Sequence, residues 1–277
     1  MTIIPDTPSS LRLTPISRLA AAGRWRVEAM RALREPVLLW FTQGQGRITV
    51  AGSTRGYGPN NAVFIPPGTM YGFEMAARVQ GSSVFFGRNH GLDLPRTPHF
   101  LRPRDPISQK ELVAILEAIQ RELESARSGS QKAAQHHLGL LGVWMDRQLE
   151  RERALETMPQ RPAAAQQLVA RYSSLLERDF RSNRAVADYA EALGVTPTHL
   201  TRVCRAETGR TAAALLTERL LHAARSRLIG SQTPVQEIAR DLGFGSAAYF
   251  TRFVQQHTGQ SPTALRRAAL PHPPQVA

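Results

Sequence analysis

Two short strings recur fifty residues apart: Leu200-Thr201-Arg202 and Phe250-Thr251-Arg252, each followed by a Thr-Gly pair, Thr208-Gly209 and Thr258-Gly259. An arginine presents a planar fork of donors that fits a phosphate or the edge of a guanine, and a threonine offers a hydroxyl beside a methyl. That chemistry is recognition of a polyanion rather than bond making. Composition points the same way. The chain has 35 basic against 22 acidic residues, a formal net charge of +13, and every basic residue except Lys110 and Lys132 is arginine. The excess is not confined to one end: from Ala165 onward 14 arginines meet 8 acids, so about half of the net charge lies elsewhere. Charge therefore supports a nucleic-acid partner without locating it, and a compositional bias toward arginine would give the same count.

Other chemistries lack their residues. Cys204 is the one cysteine, so no disulfide within the chain and no cysteine-based zinc site can form. In the repeat it stands where Val254 stands in the second copy, which predicts a core-facing, inert thiol. His136 and His137 are adjacent, so on a helix they point about 100° apart and cannot chelate as an i,i+4 pair could. There is no phosphate-binding glycine loop, nucleophile elbow or metal-ligand spacing. The expectation is a protein that is not an enzyme and needs neither metal nor cofactor. The start of the sequence carries no signal-peptide pattern, and no apolar run approaches the ~18 residues of a membrane span, which predicts a soluble, cytoplasmic protein without a membrane partner.

The elements that must hold the two Thr-Arg pairs can be read from the repeat around them. Val186 to Gly194 (VADYAEALG) and Val235 to Gly243 (VQEIARDLG) share Val, an acid, Ala, Leu and Gly at identical steps. Each reads as a helix ended by a glycine turn, followed by a second helix bearing the Thr-Arg pair, which is the layout of a helix-turn-helix. Thr196-Pro197 and Ser246 offer N-caps for the second helices, and Thr233-Pro234-Val235-Gln236 reads as N-cap, Pro at the first position and capping-box Gln. Ser261-Pro262 starts one more short helix. Between the units, Thr211 to Ile229 has one continuous helical pattern. Its nineteen residues would span roughly 28 Å, near the ~34 Å between successive major-groove faces.

The N-terminal third has a different period. Val37 to Phe41, Arg47 to Val50, Ala62 to Ile65 and Val79 to Phe86 read as short strands separated by Gly, Pro and Asn turns, an antiparallel sandwich or small barrel. After Pro103 and Pro106 the apolar spacing turns helical at Leu112, Ile115, Leu116, Ile119 and Leu123, breaks at Ser128-Gly129-Ser130, and resumes at Leu138, Leu141, Trp144, Met145 and Leu149. This predicts an αα-hairpin. The division expected is a β domain over 1–106, a helical hairpin over 107–157, a linker over 158–164, a helical domain over 165–268 and a tail over 269–277.

From Leu168 to Arg267, and most specifically from Pro234 to Arg267 (PVQEIARDLGFGSAAYFTRFVQQHTGQSPTALRR), the sequence strongly resembles the AraC/XylS family of transcription regulators. The β region and hairpin are similar, by architecture more than by motif, to that family's cupin-like sensor and dimerisation module. The fold class implied is α+β multidomain, an N-terminal cupin-like β-barrel with an αα-hairpin and a C-terminal all-α double helix-turn-helix domain. By resemblance, DNA contacts fall to Thr198, Thr201, Arg202 and Arg205 in the first unit and to Ser246, Ala247, Ala248, Thr251 and Arg252 in the second. Ala247 and Ala248 offer no hydrogen bond, which makes the first unit the more discriminating one. Phosphate clamping or an ion pair with a neighbouring helix stays open for Arg202 and Arg252.

Pro66-Pro67-Gly68-Thr69-Met70-Tyr71 resembles the second cupin motif with Tyr71 where a histidine ligand usually stands, and His90 is the first histidine in the chain, so a three-histidine metal site is not expected. A barrel interior can still take a small organic effector, lined by Trp40, Phe64, Tyr71, Phe73 and Phe85, with Arg47 or Arg55 meeting an anion; plain core is the alternative for the aromatics and an exposed strand position for the arginines. The resemblance implies a homodimeric, effector-responsive activator whose partners are double-stranded DNA and RNA polymerase. Two other readings fit the composition: a cupin-type enzyme with a DNA-binding tail, and an effector-independent architectural DNA binder.

Overall fold

The computed structural model describes residues 10–21, 23–76, 78–155 and 164–269. The expected linker, Ala164 apart, and the expected tail, Ala269 apart, lie outside the described residues. In chain order the N-terminal part runs β1 (Arg12–Pro15), α1 (Ile16–Leu19), α2 (Trp25–Glu28), β2 (Val37–Gln43), β3 (Gly46–Val50), β4 (Ser53–Tyr57), β5 (Asn61–Ile65), β6 (Tyr71–Phe73), β7 (Gln80–Phe85) and β8 (His99–Leu101). The helical hairpin follows as α3 (Pro106–Glu124) and α4 (Ser130–Leu155). The four strands expected from sequence are β2, β3, β5 and β7. The hairpin is the expected one, whereas β1, β4, β6, β8 and the one-turn helices α1 and α2 were not anticipated, because these three- to five-residue segments lack the apolar runs that mark β3 and β5.

The strands form two antiparallel sheets, ordered β1-β7-β2-β5-β8 and β4-β3-β6. Central strand β2 pairs with β5 (Leu39 opposite Val63) and with β7 (Leu39 opposite Ser83). Its continuous apolar run VLLWF, rather than an alternation, follows from burial on both faces. One face carries Val37, Leu39 and Phe41 and packs with Val63, Ile65 and Phe85 against Ile48, Val50, Tyr71 and Phe73 of the smaller sheet. The other carries Leu38 and Trp40 and packs with Ala62, Phe64, Val84 and Leu101 against Leu112, Leu116, Ile119, Leu138, Leu141, Trp144 and Met145 of the hairpin. Asp105 caps α3 by accepting from the backbone of Ser108 (2.7 Å), and the Trp144 indole donates to the Ser108 carbonyl (2.9 Å).

The C-terminal part is all helical: α5 (Ala164–Asp179), α6 (Val186–Ala192), α7 (Pro197–Thr208), α8 (Ala212–Gly230), α9 (Val235–Asp241), α10 (Ala247–Thr258) and α11 (Pro262–Ala269). Tyr172, Leu176, Tyr189, Leu200, Cys204, Leu215, Ala224, Leu228, Ile238, Phe250 and Val254 form its core. Met30 and Met70 of the β domain belong to the same cluster. At this junction the Trp25 ring meets His222 of α8 edge-on (5.5 Å) and lies under the Arg225 guanidinium (5.3 Å). Glu218 of α8 accepts from the backbone of Met30 and pairs with Arg210 (2.9 Å). Gly52 (φ 78°) lies against Val169 of α5, where a Cβ would overlap the valine side chain.

Candidate nucleic-acid interface

Each half of the repeat folds the same way for the same local reasons. After α6, Gly194 takes φ 71°, and after α9, Gly243 takes φ 79°, a left-handed turn that side chains with a Cβ resist. The Thr196 hydroxyl then accepts from His199 N (3.2 Å) to start α7, and the Ser246 hydroxyl accepts from Tyr249 N (3.1 Å) to start α10. Thr208 donates to the Cys204 carbonyl (2.8 Å) and accepts from Arg210 N (3.1 Å); Thr258 makes the same bonds to Val254 and Gln260 at the same distances. Both helices end at a glycine with φ near 71°, Gly209 and Gly259. The Thr-Gly pair noticed in the sequence is therefore a helix stop.

The expected start of α9 is corrected. The cap residue is Pro234, without a side-chain cap bond, and the helix begins at Val235, so the Thr233 capping box does not form. Thr233 instead accepts from Ser231 Oγ (3.0 Å), while its carbonyl takes the Arg266 guanidinium (2.5 Å). Arg266 also donates to Leu228 O (3.3 Å), tying α11 to the last turn of α8. The end of α8 is thus satisfied by a tertiary contact that local pattern cannot reveal.

The expected DNA-facing residues fall on the outer faces of α7 and α10. Thr198, Arg202 and Arg205 are exposed and Thr201 is half-buried; these four line one open groove with Val186, Pro197, Ala206 and Ala213. On α10, Ala248 and Arg252 are exposed, Ala247 and Thr251 half-buried, and the cap Ser246 is exposed. The opposite faces, Leu200, Val203 and Cys204 in one and Phe250 and Val254 in the other, are buried. Acids elsewhere in the domain are engaged: Glu177 with Arg219, Asp179 with Arg178 and Arg184, Glu218 with Arg210, and Asp241 with Arg227. The Arg178 hydrogen bond holds the Asp179 carboxyl below its ordinary range, and Arg227 does the same for Asp241. Among the described residues Arg202, Arg205 and Arg252 have no ion pair, so the alternative that a neighbouring helix neutralises Arg202 or Arg252 finds no partner.

Sequence reading missed two exposed residues on these faces, His199 and Tyr249. The signal was their place three residues before each arginine, one helical turn away. His199 Nδ1 lies 3.1 Å from Arg202 Nη2, whereas the Tyr249 ring, 54 % exposed, leans on Phe244 (5.8 Å).

Cys204 is buried as expected, and burial pushes its thiol up to about 12. A thiol raised this far stays protonated at pH 8. Iodoacetamide is therefore expected to modify the folded protein roughly a thousandfold more slowly than the urea-unfolded chain. Similar rates in the two states would place the thiol in solvent.

The expected effector residues do not converge. Tyr71, Phe73 and Phe85 face the space between the sheets, but Trp40 and Phe64 face the helical hairpin, because β2 and β5 are covered on both sides. Arg47 is exposed and bound to Glu74 (2.7 and 3.0 Å), and Arg55 lies over Phe100 (4.8 Å). The inter-sheet space is filled by rings, with Phe41 stacked on Tyr57 (4.0 Å) and edge-on to Phe73 (5.7 Å). The buried cation there is Arg31, over the Tyr71 ring (4.3 Å) and donating to Val27 O (2.8 Å). Burial raises the Tyr71 phenol despite that cation. His222 is held well below its ordinary value by burial and then by Arg31, Arg219, Arg26 and Arg225. Among the described residues no group of three or more His, Cys, Asp or Glu is placed to hold a metal, and no helix is long and apolar enough to cross a membrane.

Residues 189–268 match a family model described as a helix-turn-helix domain. No curated protein matches the chain. Among solved structures the chain is similar to ToxT from Vibrio cholerae with unsaturated fatty acid bound (10 % identity, 93 % of this chain and 95 % of that one, TM-score 0.41). It is also similar to the C-terminal domain of AraT, a response regulator from Geobacillus stearothermophilus (24 % identity, 42 % and 98 %, TM-score 0.36). A third similarity is to a transcriptional regulator with an AraC-type DNA-binding domain from Chromobacterium violaceum (22 % identity, 40 % and 100 %, TM-score 0.35).

Proposed function

On the premise that this chain is a DNA-binding transcription regulator carrying the helix-turn-helix domain of the AraC/XylS family, we propose that it binds promoter DNA sequence-specifically with α7 and α10 in successive major-groove faces. The observation that carries this reading is the repeat itself: two capped helices, in register, each with a Thr-Arg pair on its outer face, the arginine exposed and without an ion pair among the described residues. The nineteen residues of α8 span roughly 28 Å, enough to set two readers about one DNA turn apart. Thr198, Thr201, Arg202 and Arg205 read the first half-site. Ser246, Ala247, Ala248, Thr251 and Arg252 meet the second, more through backbone and thymine methyl contacts.

The units serving this function are a sensor over 1–106, a dimerisation hairpin over 107–157 and a reader over 165–268. Ile107, Val113, Leu140 and Val143 leave apolar surface on α3 and α4 for a second copy. The sensor answers a small-molecule effector, and the packing of Trp25, Met30 and Met70 against α8 and its neighbours gives that signal a route to the helix that spaces the readers. The outcome at the promoter is activation through RNA polymerase.

Arg202→Ala tests the reading. With the full-length protein at one stated near-physiological salt, the substitution is expected to cost about 1–3 kcal/mol at the site the wild type selects from a random duplex library, with relaxed preference at one base pair. A loss that is uniform over all sequences would reduce Arg202 to a phosphate clamp.

A further inference from the structure

The two readers differ in one respect that their common backbone does not require. On α7 the Arg202 guanidinium is held by a neighbour one turn back, with His199 Nδ1 3.1 Å from Arg202 Nη2. On α10 the same register places Tyr249 before Arg252, and Tyr249 leans on Phe244 instead. No hydrogen bond or ion pair of Arg252 occurs among the described residues. An arginine side chain can only donate, so the 3.1 Å contact requires a lone pair on His199 Nδ1 and puts the imidazole proton on Nε2. The backbone of His199 is itself fixed, because its N–H is the donor that Thr196 caps. His199 is therefore an acceptor set one helical turn before an exposed cation.

We propose that His199 is a specificity-determining positioning residue: its imidazole orients the Arg202 guanidinium before DNA arrives, so that the first unit reads its base with a preorganised fork while Arg252 remains free to follow the backbone. Discrimination between base pairs depends on two parallel hydrogen bonds from a planar group; an unheld arginine can swing to another acceptor at a mismatched site and recover part of its binding there, whereas a held fork fits only the matching edge. Holding one of its nitrogens beforehand leaves the other donors of the fork for a guanine edge. The inference rests on Arg202 contacting a base, as proposed above.

Four full-length variants, each checked for an unchanged thermal transition, separate the possibilities: His199→Leu, His199→Asn, Arg202→Ala and Arg252→Ala. Leucine keeps bulk and helix propensity without an acceptor, whereas asparagine returns an oxygen near the position of Nδ1. Each variant is put through selection from a random duplex library and competition binding at fixed salt. His199→Leu is expected to flatten preference at the same base pair as Arg202→Ala, lowering the matched-to-mismatched affinity ratio about 3- to 10-fold, the range of one solvent-exposed hydrogen bond. Its salt dependence should not change, because no charge is removed. His199→Asn is expected to restore the ratio to within about twofold, since the acceptor to the guanidinium is back. Arg252→Ala should weaken all sequences together. If His199→Leu keeps full discrimination while Arg202→Ala loses it, Arg202 reads unaided and the positioning role is overturned, with base reading intact. If Arg202→Ala itself leaves every preference unchanged, base reading fails and the inference falls with it. A uniform affinity loss in His199→Leu that asparagine does not rescue would make His199 a phosphate or folding contact and would also overturn the proposal.

Discussion

Gly243→Ala is expected to lower the unfolding free energy by about 3–4 kcal/mol, while Gly194→Ala, at the equivalent turn, costs only about 1–2 kcal/mol. Both glycines have positive φ, 79° and 71°, so both substitutions carry the penalty of a Cβ in the left-handed region. Only Gly243 carries a second cost. A Cβ there would overlap the Arg181 carbonyl oxygen and come within 2.8 Å of its carbon and 3.1 Å of Asn183 N, whereas a Cβ on Gly194 meets nothing within 4 Å. The obstacles at Gly243 are backbone atoms of the loop after α5, which cannot turn aside as a side chain can. Urea unfolding monitored by helical circular dichroism would measure both, and equal losses at the two glycines would mean that the α5 loop yields. Because that loop carries Arg184, which pairs with Asp179, yielding would also disturb the end of α5.

Glu177→Ala is expected to cost about 3 kcal/mol, the low end for removing one partner of a buried ion pair. Arg219, in the middle of α8, has a side chain only 7 % exposed, and its Nε and Nη2 meet the two Glu177 oxygens at 2.5 and 2.9 Å. The guanidinium also lies over the Phe180 ring at 3.9 Å. Removing the carboxylate leaves that cation enclosed with Arg181 nearby and no compensating charge. The low end applies because Glu177 keeps 20 % of its side chain in water, which screens part of the pair. Replacing both partners, Glu177→Leu with Arg219→Met, should recover most of the loss, since matched apolar groups avoid the desolvation cost altogether. If Glu177→Ala alone unfolds at the wild-type urea midpoint, the pair contributes nothing. The structural consequence is specific: α5 and α8 would part, and α8 is the helix that joins the two helix-turn-helix units.

Much of the reader was legible in the residues. The left-handed glycines, the Thr196 and Ser246 caps and the Thr-Gly stops came from local rules, because each is a requirement that a few consecutive backbone groups place on one residue, and the buried Cys204 came from its equivalence to Val254 in the repeat. The outward placement of Thr198, Arg202, Arg205, Ala248 and Arg252 was implied by the resemblance to the AraC/XylS family, and helical period is consistent with it. The β domain was less legible. Alternation says that Trp40 and Leu39 point to opposite faces of β2, but not that the hairpin would cover one face and the smaller sheet the other. That is why Trp40 and Phe64 were grouped with Tyr71, Phe73 and Phe85. Arg47 is a candidate for an anionic effector by its charge, but its partner Glu74, twenty-seven residues away, holds it on the surface.

By itself the sequence determined a β-rich N-terminal region, an αα-hairpin and a duplicated, capped helix-turn-helix in an arginine-rich chain, because periods, caps and turns are properties of neighbouring residues. Only the tertiary structure decided that Pro234 rather than Thr233 caps α9, that Arg266 closes the end of α8, that Gly243 is walled in where Gly194 is open, and that the β domain rests on α8 through Trp25 and Met30. Each of these depends on which distant groups fill the space around a residue, and a backbone carbonyl or a buried cation takes whichever partner the packing brings within reach.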